Sequence, residues 1–593
     1  MTDAAEARSR PLSDHSADRR MVQLALGAVV VGAGGAAGAW VLVRAIALAT
    51  NLFWYGRLSA APAEIVGNRL GLAVVLIPVV GSLLIGLMAR FGSDKIRGHG
   101  IPEAIEAILY GESRLSLKVA VLKPISSAIS IGSGGPFGAE GPIIMTGGAI
   151  GSLFAQRFHL SAAERKTLLV AGAAAGMTAI FGTPAAAILL AVEVLLFEWK
   201  PRSFVPVAVA VLVAAALRPF LFATGAMFPM NQAVSAGPAL LALAALWGIV
   251  AGLQASLLSN LLYRIEDLFH RLPLHWMWWP LIGGVVVGLG GLIDAHVLGA
   301  GYGSIRALLG GSLALRAVLA LLIVKAVVWL VSLGSGTSGG VLAPLLLIGG
   351  ALGYLAGMVL PGGSPVWALL GMAGMLSGAM RAPLTAALFT IEVSGNPGLL
   401  PLTLAASAGA YATSVLVMRR SILTEKIARR GRHVLQEYTV DPFDFLQAGQ
   451  VMTPHPQCLS GAMMVAETVR WFEGGAVHRS YPVVDGQGRL QGMVSRSDAL
   501  RWQVSGGPMD STLADAVGDA SCPAGHPDDP LGRIADLMVE GGAGRIPIVD
   551  PVTERVVGLL SRQDLLKVRR ARGELEVERG RGVAPVSRAA ASA

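Results

Sequence analysis

The chain has 593 residues, of which 53% are hydrophobic and 14% charged, with a formal net charge of +9 and two cysteines. Soluble proteins carry about 25% charged residues, whereas residues 326–418 hold only Arg381 and Glu392; that excludes a water-facing surface and reads as a multi-span membrane protein. Cys458 and Cys522 are too few for a disulfide framework or a zinc centre, and basic residues gathered at membrane edges without interleaved aromatics argue against nucleic acid as a partner.

Residues 1–20 are polar, carry Arg8, Arg10, Arg19 and Arg20, and read as a cytoplasmic segment rather than a secretory signal. A membrane domain is expected over 21–430, with its first apolar run starting at Met21. A second basic cluster, Arg419, Arg420, Lys426, Arg429, Arg430 and Arg432, follows the last apolar run. The positive-inside rule then puts both termini in the cytoplasm of an inner or plasma membrane, in contact with anionic lipid.

Within the membrane part, GHGIPE (98–103) sets Gly and Pro beside an apolar helical run. Lys123 reads either as a cation biasing the potential in a conduit or as a snorkelling interfacial residue. GSGGPFGAEGPIIMTGGAIG (132–151) holds one charged side chain, Glu140, and TPAAAILLAVEV (183–194) follows. HWMWW (275–279) is expected in an interfacial belt.

GSGTSGGVLAPLLLIGGALG (334–353) repeats the Glu140 stretch with an offset of 202, and APLTAALFTIEV (382–393) repeats 183–194 with an offset of 199. The membrane domain is therefore two related halves, about 21–225 and 236–418, with a substrate site expected where the repeats meet. The pattern leaves inversion of the halves open. Glu193 and Glu392 occupy equivalent places and read first as structural hydrogen-bond acceptors.

GHGIPE, GAEGP (138–142) and GGVLAP (339–344) share one design. Proline suits the first turn of a helix, and glycine lets backbone approach a bound ion. A helix N-terminus has unpaired N–H groups and about half a positive charge. Several such ends can hold a bare anion without the full cation that would bind it too tightly for rapid release. Glu140, costly in hydrocarbon by roughly 2.5–3.5 kcal/mol, would occupy that seat as a tethered competitor and leave it open when protonated or swung out.

In this order within duplicated halves, the three motifs resemble the CLC family of chloride channels and chloride/proton antiporters, over about 30–430. The resemblance implies an all-α polytopic fold of many short broken helices, and a homodimer with one anion pore per subunit. It makes Glu140 the gate. It places chloride among His99, Gly100, Ile101, Pro102, Gly340, Val341, Leu342 and Ala343, mostly through backbone N–H groups, with Thr424 loosely matching a central tyrosine. His99 replaces the usual serine, and Ala139 a common basic residue. The inward-facing glutamate of the antiporters matches Val194, beside Glu193. An apolar residue cannot relay a proton, so passive chloride conduction gated by voltage or pH is expected, with chloride/proton antiport, in which Glu193 would substitute, as the alternative.

After a linker at 431–448, YPVVDGQGRLQGMVSRSDAL (481–500) and IPIVDPVTERVVGLLSRQDLL (546–566) each read as strand, turn, strand and helix. They resemble a tandem pair of CBS domains, expected at 449–505 and 512–568, with VMTP (451–454) opening the first copy and a disordered basic tail at 569–593. The resemblance implies a small α/β pair that acts as a regulatory module. The resemblance suggests adenine nucleotide as its ligand, with Thr453, Ser495, Asp498, Ser561 and Asp564 as contacts; no other cofactor is expected. A membrane metalloprotease is disfavoured because no His-Glu-x-x-His occurs. A CBS-regulated cation transporter is disfavoured because the apolar core holds only isolated carboxylates.

Overall fold

A computed structural model describes residues 19–570 apart from 69, 233, 433, 435–442, 444–445 and 519–521. Segments 1–18 and 571–593, and most of the linker expected at 431–448, lie outside the described residues. The chain forms two compact units, Met1–Glu437 and Tyr438–Ala593.

The first unit is helical among the described residues. Its first eight α-helices are α1 (Arg19–Tyr55), α2 (Leu76–Leu87), α3 (Ile101–Tyr110), α4 (Leu117–Gly132), α5 (Glu140–Arg157), α6 (Ala162–Phe181), α7 (Pro184–Leu190, prolonged by a wide turn at Ala191–Leu196) and α8 (Pro201–Leu221). Eight more follow: α9 (Pro238–His270), α10 (Trp279–Ile293), α11 (Tyr302–Leu309), α12 (Leu315–Gly334), α13 (Leu342–Ala356), α14 (Ser364–Met380), α15 (Pro383–Ser394) and α16 (Leu400–Val417). A short α17 (Ile422–Arg429) closes the unit.

Seven described segments are long and apolar enough to cross a bilayer, and α7, α13, α14 and α15 are shorter apolar helices. The ten-residue α3 rises only about 15 Å, half the thickness of a hydrocarbon core. Short helices of this kind must end inside the protein, where their termini need partners.

The repeat extends through the whole unit, since α1–α8 match α9–α16 one for one in order. Each half packs in the same way: α1 lies against α6 and α8, as α9 does against α14 and α16. Glycines let the backbones touch at equivalent points. A Cβ on Gly147 would lie 2.2 Å from the Gly172 carbonyl, and one on Gly349 2.5 Å from the Gly371 carbonyl.

Three contacts reveal how the halves are related. Glu392, near the C-terminal end of α15, accepts the N–H groups of Ala185 (2.9 Å) and Ala186 (2.8 Å) at the start of α7. Glu193, in the turn that prolongs α7, accepts those of Leu384 (3.4 Å) and Thr385 (2.9 Å) at the start of α15, with the Thr385 hydroxyl at 2.6 Å. Each glutamate thus caps the other half's helix, so α7 and α15 lie antiparallel about a local two-fold. Gly138 and Gly340, equivalent at offset 202, pair as an antiparallel bridge, with N–H to carbonyl distances of 3.2 and 2.9 Å. A two-fold exchanging antiparallel elements inverts one half relative to the other, which settles the point left open by the sequence and bears out the structural reading of Glu193 and Glu392.

Among the described residues, the second unit holds two small three-stranded sheets. In one, β2 (Leu459–Ser460) runs parallel to β3 (Ser480–Val484), and β3 pairs antiparallel with β4 (Leu490–Ser495). In the other, β1 (Thr453–Pro454) and β5 (Arg545–Val549) flank β6 (Val556–Ser561), both antiparallel to it. The VMTP segment therefore completes the second copy's sheet, not the first's, with Thr453 opposite Leu559. Conversely, Leu513 and Val517 pack in the first copy's core with Val483 and Val494. Residues 513–517 thus belong to the first copy, not the second, because their apolar face is buried there.

The reciprocal caps predict that Glu392→Ala, by leaving the helix-start N–H groups of exposed Ala185 and buried Ala186 without their acceptor, destabilises the membrane unit by about 1–3 kcal/mol. Thermal unfolding of purified protein checks this: the midpoint should fall, with Glu392→Gln recovering part of the loss.

Candidate functional site

The two-fold seam brings the three Gly/Pro segments together. Gly98 bridges to Ser338, with its N–H on the Thr337 carbonyl at 3.2 Å. Gly141 is packed so tightly that a Cβ there would lie 1.8 Å from the His99 carbonyl, and one on Gly340 would lie 2.6 Å from the Gly138 carbonyl. No side chain fits between these backbones, so three helix starts, those of α3, α5 and α13, converge on one place.

Glu140 sits at that place. It is the first residue of α5 and is 0% exposed. The backbone N–H groups of Glu140 itself and of Ala343 face its carboxylate. Tyr302, the first residue of α11, approaches Oε1 with its hydroxyl at 3.5 Å, while Oε2 has no hydrogen-bond partner. A lone carboxylate is thus buried against helix N-termini, with no basic side chain paired to it among the described residues.

The other sequence candidates divide. His99 is 2% exposed, and neither ring nitrogen has a hydrogen-bond partner. Ile101, Val341, Leu342 and Ala343 lie at the first turns of α3 and α13, all buried. Two residues leave the donor set. The Gly100 N–H is given to Glu103 Oε2 at 2.9 Å, the carboxylate reaching back over the first turn of α3, and the Gly340 N–H is given to Gly138. Pro102 has no N–H to offer. The Thr424 hydroxyl is engaged with Ser421, accepting its N–H at 3.1 Å in the capping box of α17, so it is occupied in starting its own helix.

Lys123 is not a snorkelling residue. It is 1% exposed and donates to the carbonyls of Ile96 (2.8 Å) and Gly98 (2.7 Å). Its repeat mate Lys325 (325 − 123 = 202), likewise buried, donates to the Gly299 carbonyl at 2.8 Å. The two lysines hold two equivalent loops, Gly98-His99-Gly100 and Gly299-Ala300-Gly301, in which Gly100 (φ 90°) and Gly301 (φ 73°) take the left-handed conformations that side chains disfavour. This loop equivalence is the signal that would have found Tyr302: carrying GHGI forward by 201 lands on GAGY.

From His99 a cavity of about 920 Å³ opens to the surface. Seven Lys and Arg side chains line it against four carboxylates, a balance that raises the local concentration of anions. Lys426, read from sequence only as part of a basic cluster, is paired with Glu103 at 2.9 Å in this wall. Arg432 holds Glu106 at 2.8 Å, and Arg430 is bonded to the same carboxylate.

In the second unit, Ser495 and Ser561 start helices, and their hydroxyls bond to Asp498 and Asp564 at 2.6 Å in both copies. The second oxygen of each aspartate is taken by Arg501 (2.7 Å) or Lys567 (3.1 Å), both mostly exposed. Thr453 lies exposed on β1.

The profile of the voltage gated chloride channel family matches residues 80–415, and that of the CBS domain matches 448–505 and 524–571. A ClcB-like chloride channel protein of Ralstonia nicotianae is 30% identical, over 69% of this chain and 98% of its own length. The voltage-gated ClC-type chloride channel ClcB of Escherichia coli O81 is 32% identical, over 60% of this chain and 87% of its own. Among solved structures, a slow cyanobacterial chloride/proton antiporter aligns with a TM-score of 0.60 at 22% identity, covering 70% of this chain and 98% of that one. A eukaryotic CLC transporter aligns at 0.58 and 21% identity, covering 92% and 98%. With its inverted repeat, its convergent helix starts and these matches, the chain belongs to the CLC family of chloride-transport proteins and carries a C-terminal pair of CBS domains.

Proposed function

We propose that this protein is a gated chloride channel that moves chloride passively across the membrane, with Glu140 as its gate. The observation that carries this is the buried Glu140 carboxylate facing the N–H groups of its own residue and of Ala343 at two helix starts, with no basic side chain paired to it among the described residues. A halide would take the same N–H groups once the carboxylate leaves, with Ile101, Val341 and Leu342 supplying further donors and the buried, unpartnered His99 ring supplying an N–H at the inner edge. The basic cavity beyond His99 feeds the seat.

Passive conduction is favoured over exchange by the inner side of α7. Val194 is fully buried, and the neighbouring Glu193 is committed to capping α15. Neither provides a free carboxylate to pass a proton inward. The reading includes a homodimer with one pathway per subunit, an inner or plasma membrane location with cytoplasmic termini, and regulation by the CBS pair. An adenine nucleotide would reach Asp498 and Asp564 by displacing the exposed Arg501 and Lys567.

In liposomes, a chloride gradient is expected to move chloride without driving protons uphill; sustained uphill proton movement would establish antiport instead. Chloride flux should rise as pH falls, since protonation removes the competitor, and Glu140→Gln should keep the flux while abolishing its pH dependence. A variant that titrates like the parent would refute the gate. For the tail, ATP should displace a fluorescent ATP analogue from the full-length protein, and Asp498→Asn with Asp564→Asn should weaken this at least tenfold if the aspartates hold ribose.

A further inference from the structure

Glu140 and Leu342 are mates under the two-fold (342 − 140 = 202), and so are Tyr302 and Ile101 (302 − 101 = 201). Each pair draws one residue from each half: Ile101 and Leu342 are apolar members of the buried core, and their two-fold mates Tyr302 and Glu140 are a phenol and a carboxylate in contact. The Tyr302 hydroxyl does two things at once: it accepts the Ala139 N–H at 3.1 Å and lies 3.5 Å from Glu140 Oε1, with its proton free to go there. Its ring is held edge-on by Phe181, with centroids 6.2 Å apart, and flanked by Phe228 at 5.9 Å. Its backbone is fixed by Gly301 and by the Lys325 grip on the Gly299 carbonyl.

Resting on the gate reading of Glu140, we infer that Tyr302 is a positioning residue that latches the gate in its seated state. The Ala139 N–H holds the hydroxyl at the start of α5 in either state of the gate, and the hydroxyl's proton meets the gate's carboxylate only while Glu140 is seated. A hydrogen bond to a charged carboxylate is stronger than one between neutral groups. The latch therefore favours the seated, ionised carboxylate over the swung-out one and lowers the open fraction.

The test is chloride efflux from liposomes at neutral pH for four proteins: parent, Tyr302→Phe, Glu140→Gln and the double variant. Phenylalanine keeps the ring between Phe181 and Phe228 and removes only the hydroxyl. Flux through Tyr302→Phe should exceed the parent's by about two- to tenfold, the range of one hydrogen bond. In the Glu140→Gln background the same change should alter flux by less than about twofold, because the charged partner is gone. Retained flux in that background also shows that the ring's packing survives. Equal loss of flux in both backgrounds would assign Tyr302 a merely structural role and overturn the latch, as would no change in either. Failure of the gate itself appears separately, as pH-dependent flux in Glu140→Gln alone.

Discussion

The backbone-to-backbone seam between Gly138 and Gly340 is the constraint on which the rest depends. Two glycine segments, each leading into a helix, exchange hydrogen bonds across a local two-fold with no space for a Cβ between them. That closeness forces the starts of α5 and α13 into the same small volume, and the equally close Gly141–His99 contact adds the start of α3. Partial positive charge at helix ends then accumulates where no lysine or arginine side chain is needed to hold an anion.

Function arises where the symmetry is broken. A duplicated, inverted scaffold gives each functional position a mate, and the mates differ in chemistry: Glu140 against Leu342, His99 against Ala300, Tyr302 against Ile101. The shared parts, including the Lys123 and Lys325 grips and the Glu193 and Glu392 caps, are structural and occur twice. Residues that recur across the repeat satisfy backbone groups that a short helix or tight loop would leave unpaired. Glu140, which does not recur, takes the seat that the proposed function gives to chloride.

Much of this was legible in the sequence because glycine, proline and isolated charge are conspicuous in an apolar chain. The halves, the three convergent motifs and Glu140 came from them directly. Tyr302 was missed because a tyrosine at a helix start is unremarkable until the repeat is carried into GAGYGS. The family resemblance put Gly100 and Gly340 among the anion donors, but their N–H groups are given to the Glu103 carboxylate and to the Gly138 carbonyl. Thr424 was chosen by loose register, and its hydroxyl caps α17 instead. In the tail, local patterning gave strand, turn, strand and helix, but not that β1 joins the second sheet or that 513–517 pack with the first. Those depend on which core has room for an apolar face, which local pattern does not encode.

The most direct test of the central claim is anomalous diffraction from crystals grown in bromide, which stands in for chloride. A bromide peak within hydrogen-bond distance of the N–H groups at the starts of α3 and α13, next to the Glu140 carboxylate and gaining occupancy in Glu140→Gln, is the predicted result. Peaks confined to the arginine-lined cavity, with none at the seam in either protein, would contradict it.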